Sequence, residues 1–246
     1  MRARLLLIPL VLGLVVVTGW AGEPPTETQI TTKIQSRIDH AKVNKHGDVQ
    51  VSYANGVATL SGTVDSLGSK LDAEKAARKA PGVSRVIDNI VVHADDATEQ
   101  QIAVQARHEI LMYYAYGIFD NVNLEVQGDK VIVSGQVTQP FKKPDIGNIL
   151  ARVRGVAEVV NNLEVLPTST FDDQLRLQVA RAIYGNPYFI HYADQALPPI
   201  HIIVKNGNVT LEGVVANKMD RTRAEMAARM AGLSFSVIDN LRVVNS

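Results

Sequence analysis

The sequence NGVATLSGTV at residues 55–64 returns as GDKVIVSGQV at 128–137 and as NGNVTLEGVV at 206–215. Apolar residues alternate on either side of Asn55-Gly56 and Asn206-Gly207, and such dipeptides adopt the positive φ angles of a type I′ turn. Gly128-Asp129 gives a similar but weaker signal in the second stretch. Each stretch therefore predicts the turn and the outgoing strand of a β-hairpin.

A second motif follows each hairpin, as VIDNIVV at 86–92, VVNNLEV at 159–165 and VIDNLRV at 237–243. The separation is constant, because Asn89, Asn162 and Asn240 each follow their motif glycine, Gly62, Gly135 or Gly213, by 27 positions. This spacing indicates three copies of one unit. We expect the three glycines to mark a bulge or a close approach of the following helix. We expect the three asparagines to mark a bulge or a hydrogen bond to the backbone.

Two amphipathic helices complete each unit. The first helix precedes the hairpin, and its predicted N-caps are Thr26 with Gln29, Thr98 with Gln101, and Asp172 or Asp173. The second helix lies between hairpin and last strand, at 69–80, 145–153 and 220–230, before Gly82, Gly155 and Gly232. Pro140, Pro144 and Gly147 predict a shorter second helix in the middle unit.

The pattern predicts an α+β protein of three tandem small domains. Each domain is αββαβ, with two helices packed on a three-stranded mixed sheet. The predicted boundaries are 26–94, 98–166 and 171–245, joined by short polar linkers.

The first 21 residues have the composition of an export signal. Arg2 and Arg4 precede an apolar run at 5–17, and Gly19-Trp20-Ala21 supplies small residues for cleavage after Ala21. An uncleaved anchor is the alternative, but the run is short for a bilayer span. Removal of the signal would change the formal charge from zero to −2. The chain has no cysteine, so it has no lipid-attachment residue and we expect a periplasmic protein rather than a lipoprotein.

No catalytic or metal-binding motif stands out. The six histidines occur in no metal-ligand spacing, no nucleophile-elbow sequence is present, and no candidate catalytic group recurs in all three units. The zero net charge gives no overall attraction to nucleic acid, and a KH-like RNA-binding unit would need a GxxG backbone clamp that the chain lacks. The sequence therefore predicts a protein that is not an enzyme, needs no cofactor and binds no nucleic acid.

The repeated frame x-V-x-L-x-G-x-V, a helix, a Gly, then V-x-N-x-[LIV]-x-V resembles the BON domain, the bacterial osmotic-shock and nodulation domain. The resemblance covers nearly all of the predicted mature chain. It implies the αββαβ fold and a non-enzymatic role in the bacterial envelope. Members are thought to bind phospholipid surfaces, and some act as chaperones for envelope proteins. Periplasmic members usually carry two copies, so three copies is a departure.

Aromatic residues are concentrated where the first helix of units two and three ends. The candidate binding residues are Tyr113, Tyr114, Tyr116 and Phe119 in unit two, and Tyr188, Phe189 and Tyr192 in unit three. Tyrosine combines an apolar ring with a polar tip and suits a bilayer interface or a protein surface. Filling space under a short helix is the alternative, and exposure on one contiguous surface is the test.

Basic residues around the second helices could attract anionic headgroups. The candidates in unit two are Lys142, Lys143, Arg152 and Arg154, and unit one has Lys70, Lys75, Arg78 and Lys79. Solvated helix faces are the simpler interpretation.

Three functions follow from these features. The first is a periplasmic protein that binds an anionic phospholipid surface or another envelope component and supports the envelope under osmotic stress. The second is a chaperone or adaptor for envelope proteins. The third is a structural module that oligomerises in a secretion or envelope assembly, since small repeats supply many similar surfaces.

Overall fold

The structure is a computed structural model that describes residues 25–94 and 97–244. The predicted signal peptide, residues 1–21, lies outside the described residues. Repeat one consists of helix α1 (Glu27–His40), strands β1 (Gly47–Ala54) and β2 (Val57–Val64), helix α2 (Leu67–Arg78) and strand β3 (Arg85–Val92). A single 3-10 turn, Val43–Lys45, connects α1 to β1.

Repeats two and three follow the same order. Repeat two consists of α3 (Glu99–Leu111), β4 (Asn121–Gln127), β5 (Lys130–Val137), α4 (Lys142–Ala151) and β6 (Glu158–Val165). Repeat three consists of α5 (Thr170–Tyr184), a 3-10 turn (Pro187–Phe189), α6 (Ile190–Ala193), β7 (Ile200–Lys205), β8 (Asn208–Val215), α7 (Lys218–Met230), β9 (Ser236–Asp239) and β10 (Arg242–Val243).

The three sheets share one mixed topology. In repeats one and two the hairpin's outgoing strand is central, antiparallel to its hairpin partner and parallel to the last strand. The predicted α+β fold class, with two helices on a small mixed sheet, is confirmed. Repeat three differs by the short α6 and by a last strand split into β9 and β10 around Asn240.

Helix caps and hairpin turns are largely as predicted. Thr26 and Thr98 form complete capping boxes, and Asn55-Gly56 and Asn206-Gly207 both take positive φ angles. In the hairpin turn of repeat two, Gly128 has a positive φ angle and Asp129 does not, as in a type II′ turn. Helix α4 is the shortest of the second helices, as its prolines predicted, although it begins before Pro144 at Lys142.

The cap predicted for the third repeat is wrong. Ser169 caps α5, and the buried Asp172 carboxylate instead accepts hydrogen bonds of 2.8 Å from the amides of Asn206 and Gly207 in the hairpin turn. Glu27 and Glu99 accept from the hairpin turns of their own repeats in the same way. An acid in the first helix therefore fixes the hairpin in every repeat.

The motif glycines serve strand pairing rather than helix packing or a bulge. Gly62, Gly135 and Gly213 have φ of 117–119° and continue the regular register of their hairpins. A Cβ at these positions would lie 1.9–2.1 Å from a carbonyl oxygen of the neighbouring antiparallel strand. The close approach is to that strand, not to the following helix as predicted.

The repeated hydrogen bond of the second motif belongs to the residue before the asparagine. Oδ1 of Asp88, Asn161 and Asp239 accepts from the amide two residues later, at 2.9, 3.2 and 2.9 Å. Asn89 and Asn162 are exposed, and Asn240 donates to Glu212. The hydrogen bond to the backbone was therefore predicted for the asparagine, whereas the residue before it accepts that bond.

Candidate functional site

The aromatic segment of repeat two begins with a ring that belongs to the core. Tyr113 is buried, and its hydroxyl donates a 2.7 Å hydrogen bond to Asp145 Oδ2 on α4. Burial and this contact raise the pKa of the Tyr113 phenol above its usual value. Tyr114 alone projects outward, with 86% of its surface exposed. The proposed binding role of Tyr113 is therefore wrong, because its ring fills the space beneath the end of α3.

The rest of this segment faces repeat three. The Tyr116 ring stacks on His201 with ring centroids 5.5 Å apart, and Phe119 packs against the core of repeat three. Burial raises the pKa of Tyr116 to about 12. The amide of Ile202 donates to the carbonyl of Ile118 at 2.7 Å. Tyr116 and Phe119 therefore join two repeats and do not form an open binding surface.

The aromatic cluster of repeat three is mostly internal. Phe189 and Tyr192 are buried, which contradicts their predicted exposure. Tyr192 donates to Asp220 Oδ2 and accepts from the amide of Ala216, both at 2.7 Å. Tyr188 is half exposed, and the Arg223 guanidinium lies 3.4 Å from its ring centre. The seven predicted aromatic residues thus form no single contiguous exposed surface.

Two of the four basic residues predicted in repeat two, Lys142 and Arg152, are paired with acids. Lys142 is buried and pairs with Asp120 Oδ2 at 2.7 Å, so its predicted headgroup role is wrong. Arg152 is exposed, but its guanidinium binds both carboxylate oxygens of Asp72 in repeat one, at 2.8 and 3.4 Å. Lys143 is partly buried, and its carbonyl accepts from Asn161. Arg154 is exposed at the edge of a cleft between repeats one and two.

Repeats one and two meet largely through their backbones. The amide of Leu67 at the start of α2 donates to the carbonyl of Val156, and the amide of Gly155 donates to Asp65, at 2.8 and 2.7 Å. Gly68 lies against Arg152, with no room for a Cβ. The start of one second helix therefore docks on the loop that follows another.

A basic groove lies between α1 and α2 of repeat one. Lys33 and Arg37 line it from α1, and Lys75 and Lys79 line it from α2, around a volume of about 860 Å³. All four side chains are exposed, and none has an ion-pair partner within 4 Å among residues 25–94 and 97–244. Asp72 is the only acid among the described residues of the lining, and it is bound to Arg152. The groove is therefore an accumulation of uncompensated positive charge.

Sequence reasoning identified half of this groove. Lys75 and Lys79 were predicted together with Lys70 and Arg78, but Lys70 pairs with Asp88 and Arg78 with Glu74. Lys33 and Arg37 were missed, although their spacing of four residues on an amphipathic helix places both on one face. Predicting the groove would have required placing the basic faces of α1 and α2 side by side, although they are about 40 residues apart in the sequence.

The groove between the first and second helices has different lining residues in repeats two and three. In repeat two its polar lining consists of Gln101, Gln105, Glu109, Arg152 and Arg154. In repeat three it is lined by Phe171, Gln174, Gln178 and Leu233. The fold therefore provides the cleft in every copy, whereas in repeat one both helices line it with cations, four in all.

Comparison with known proteins identifies the repeats. The model of the BON domain family matches residues 26–94, 98–167 and 172–245. A protein of Anaplasma centrale described as "Uncharacterized protein in gshII 5'region" is 29% identical over 132 residues, which cover 49% of this chain and 87% of that protein.

Two solved structures of CdsD, a structural protein of the type III secretion system of Chlamydia trachomatis, are also similar. The C-terminal domain structure has 18% identity and a TM-score of 0.22, covering 85% of this chain and 96% of that one. The second has 16% identity, a TM-score of 0.22 and coverages of 85% and 91%. In the described ranges, no helix of the present chain has the length and apolarity needed to cross a bilayer.

Proposed function

This chain belongs to the BON domain family, and we propose that it is a non-enzymatic envelope protein that binds anionic phospholipid headgroups through the basic groove of repeat one. The family match supports association with the bacterial envelope. The predicted export signal supports a periplasmic location, where the protein would help to maintain the envelope under osmotic stress.

The basic groove is the observation that carries this proposal. Each helix presents two cations one turn apart, so a phosphate that enters the groove meets positive charge from both sides. Cations close to an anionic surface contribute about 1 kcal/mol each, and salt weakens the attraction. Because the whole chain is close to neutral, this attraction depends on the groove rather than on net charge.

Vesicle flotation tests the proposal directly. Residues 22–246 would be mixed with vesicles of phosphatidylglycerol or of phosphatidylcholine, at low and at physiological ionic strength. We expect flotation only with phosphatidylglycerol, stronger at low salt. Replacing Lys75→Gln and Lys79→Gln together should weaken binding about 30-fold, since two cations contribute about 2 kcal/mol and 1.4 kcal/mol is a factor of ten.

A matched variant separates the groove from general charge. Lys45 and Lys218 are exposed and lie outside the groove, so Lys45→Gln with Lys218→Gln removes the same charge and should leave flotation nearly unchanged. Free glycerol phosphate serves as a competitor, and it should displace the protein only if the groove recognises the phosphate alone. Equal losses in the two double variants, or no flotation at either salt concentration, would reject the groove as the lipid site.

The chaperone or adaptor alternative rested on exposed tyrosines. Tyr114 and Tyr188 keep substantial exposure, whereas Tyr113 and Tyr192 do not, so the aromatic support for that alternative is reduced to two separate rings. Failure of the protein to suppress aggregation of an unfolded outer-membrane protein at stoichiometric amounts would count against it.

A further inference from the structure

Repeat three carries both halves of the contact that joins repeats one and two, and both halves are exposed. We call residues 65–68, at the start of α2, the head of repeat one, and residues 152–156, after α4, the tail of repeat two. Within the chain this head and this tail are bound to each other through Leu67–Val156 and Gly155–Asp65. Counted from the motif glycines, the head of repeat three is 216–219 and its tail is 230–234.

The head of repeat three has the same position in its repeat as the head of repeat one, which is bound to repeat two. Leu67 and Lys218 both lie five residues after the motif glycine and both open the second helix, so both amides lie outside the helical ladder. Met219 stands where repeat one has Gly68, and 57% of its surface is exposed. The half-exposed Tyr188 contacts Met219 through its hydroxyl and extends this apolar surface.

The tail of repeat three is apolar, and no other repeat covers it in the described part of the chain. Met230 and Leu233 are each 83% exposed, and Phe235 beside them is 79% exposed. In the described part of the chain, neither the amide of Leu233 nor the carbonyl of Ser234 has a backbone partner. These two groups correspond to the Gly155 amide and the Val156 carbonyl of the existing junction.

The middle repeat cannot supply a head of the same kind. Pro140 stands at the position of Leu67, and proline has no amide hydrogen to donate. Repeat three is thus the part of the chain that combines a complete free head with a free tail.

We propose that a second copy of this protein docks on repeat three, with the head of one copy against the tail of the next. In the existing junction Gly68 lies against Arg152 with no room for a Cβ, and the equivalent residues are Met219 and Met230. The Met219 side chain therefore keeps the two backbones further apart, so side chains rather than two backbone hydrogen bonds make the new contact. The ion pair of that junction has no counterpart, since Arg223 and Met230 replace Asp72 and Arg152. Burial of Met219, Met230 and Leu233 drives the new contact instead. The tail turns also differ, because Gly155 has a positive φ and Leu233 does not.

Such a contact joins two different surfaces, so an open dimer still has one free head and one free tail. Heterologous contacts of this kind close into rings or extend into filaments. The apparent mass should therefore rise with concentration beyond that of a dimer.

Cysteine cross-linking gives a sharp test, because the chain contains no natural cysteine. Residues 22–246 with Met219→Cys and residues 22–246 with Met230→Cys would be incubated with a short bismaleimide, separately and mixed. We expect cross-linked dimers only in the mixture, and a ladder of multimers from a chain carrying both substitutions. A mixture of Met219→Cys with Val104→Cys, an exposed residue of α3 that lies in no head or tail, is the positional control and should give no dimer.

Sedimentation velocity over a concentration series completes the test. Leu233→Glu should abolish the rise in mass, and Val104→Glu, at an exposed apolar residue of α3, should leave it unchanged. Efficient cross-linking of either single variant with itself, or a monomeric mass at every concentration, would overturn the proposal. An equal loss of association in Val104→Glu would also overturn it, because association would then not depend on repeat three. These measurements contain no lipid, so their outcome is independent of the proposed headgroup site.

Discussion

Repeat one meets repeat two mainly through backbone hydrogen bonds, whereas repeat two meets repeat three mainly through side chains. The first junction consists of two amide–carbonyl bonds and the exposed Arg152–Asp72 pair. The second includes the Tyr116–His201 stack, the Phe119 ring and the Ile118–Ile202 bond. His201 also donates to the Asp120 carbonyl, and Lys205 pairs with Glu164.

Two local substitutions account for the difference. Pro140 removes the amide that a head of repeat two would need, so the first kind of junction cannot be repeated. The aromatic segment after α3 then supplies the rings of the second junction, whereas residues 41–46 of repeat one contain no ring of this kind. Repeats of one fold can therefore be joined in unlike ways by changes in a few loop residues.

The largest effect should come from the buried pair behind the second junction. Lys142→Met leaves Asp120 buried without its cation, and breaking a buried pair in this way costs about 3–5 kcal/mol of unfolding free energy. Urea unfolding would measure the loss. Lys143→Met is the control and should change stability by less than about 0.5 kcal/mol. A loss from Lys142→Met as small as that of the control would show that the pair does not support the junction.

Removing the ring that enters repeat three should have the next largest effect. Phe119→Ala gives up apolar burial against the core of repeat three, worth about 2 kcal/mol, and should make repeat three unfold at lower urea than repeat one. Residue-resolved hydrogen exchange would locate the loss. Phe141→Ala removes a more exposed ring of repeat two and provides the comparison. Uniform weakening of all three repeats would contradict a junction role for Phe119.

Acid should weaken the second junction. His201 Nδ1 donates to the Asp120 carbonyl, and the ring also faces Tyr116 and its cross-strand neighbour Glu212. Burial lowers the pKa of His201 below 6.5, despite the opposing effect of Asp120 and Glu212. The unfolded chain then binds the proton more tightly, so the free energy of unfolding falls as pH drops below about 6.5.

Unfolding curves at pH 7.5 and at progressively lower pH, for the natural chain and for His201→Gln, would check this dependence. The variant should lose the part of the pH dependence that arises from His201. Identical pH profiles for the two proteins would exclude His201 as its source.

The smallest effect belongs to the ion pair of the first junction. Arg152→Ala removes an exposed contact to Asp72, and exposed pairs contribute about 0.2–1 kcal/mol. A double-mutant cycle with Asp72→Ala at low and high salt would measure the coupling, which should fall as salt rises. A coupling above about 2 kcal/mol would show that this pair, rather than the backbone, holds the junction.

The fold was predictable because its signals are local and occur three times. The Asn-Gly turns, the Thr caps and the apolar periodicity each depend on residues close in sequence, and all were confirmed. The cap at Ser169 was missed because Asp172 and Asp173 are equally good capping residues. Only the structure shows that Asp172 is needed at the hairpin turn.

The site was less predictable because exposure depends on neighbours that are distant in sequence. The residues near Tyr113 and Tyr192 do not indicate that their hydroxyls donate to aspartates, which lie 32 and 28 residues further along the chain. Lys142 and Lys143 are adjacent in sequence, yet only Lys142 is enclosed with Asp120. Composition located the aromatic clusters correctly, but it could not show that they serve the core and a junction.

Asp72 and Asp145 occupy the same place in their repeats, ten residues after the motif glycine, but they hold different partners. In repeat two Asp145 accepts from Tyr113 of its own repeat, whereas repeat one has Ala41 at the tyrosine position and Asp72 binds Arg152 of its neighbour. The aspartate at this helix position thus binds within its own repeat where a tyrosine is present, and binds the neighbouring repeat of the same chain where the tyrosine is absent. Exchange of Ala41 for a tyrosine would therefore free Arg152 and weaken the side-chain part of the first junction, while its two backbone hydrogen bonds remain.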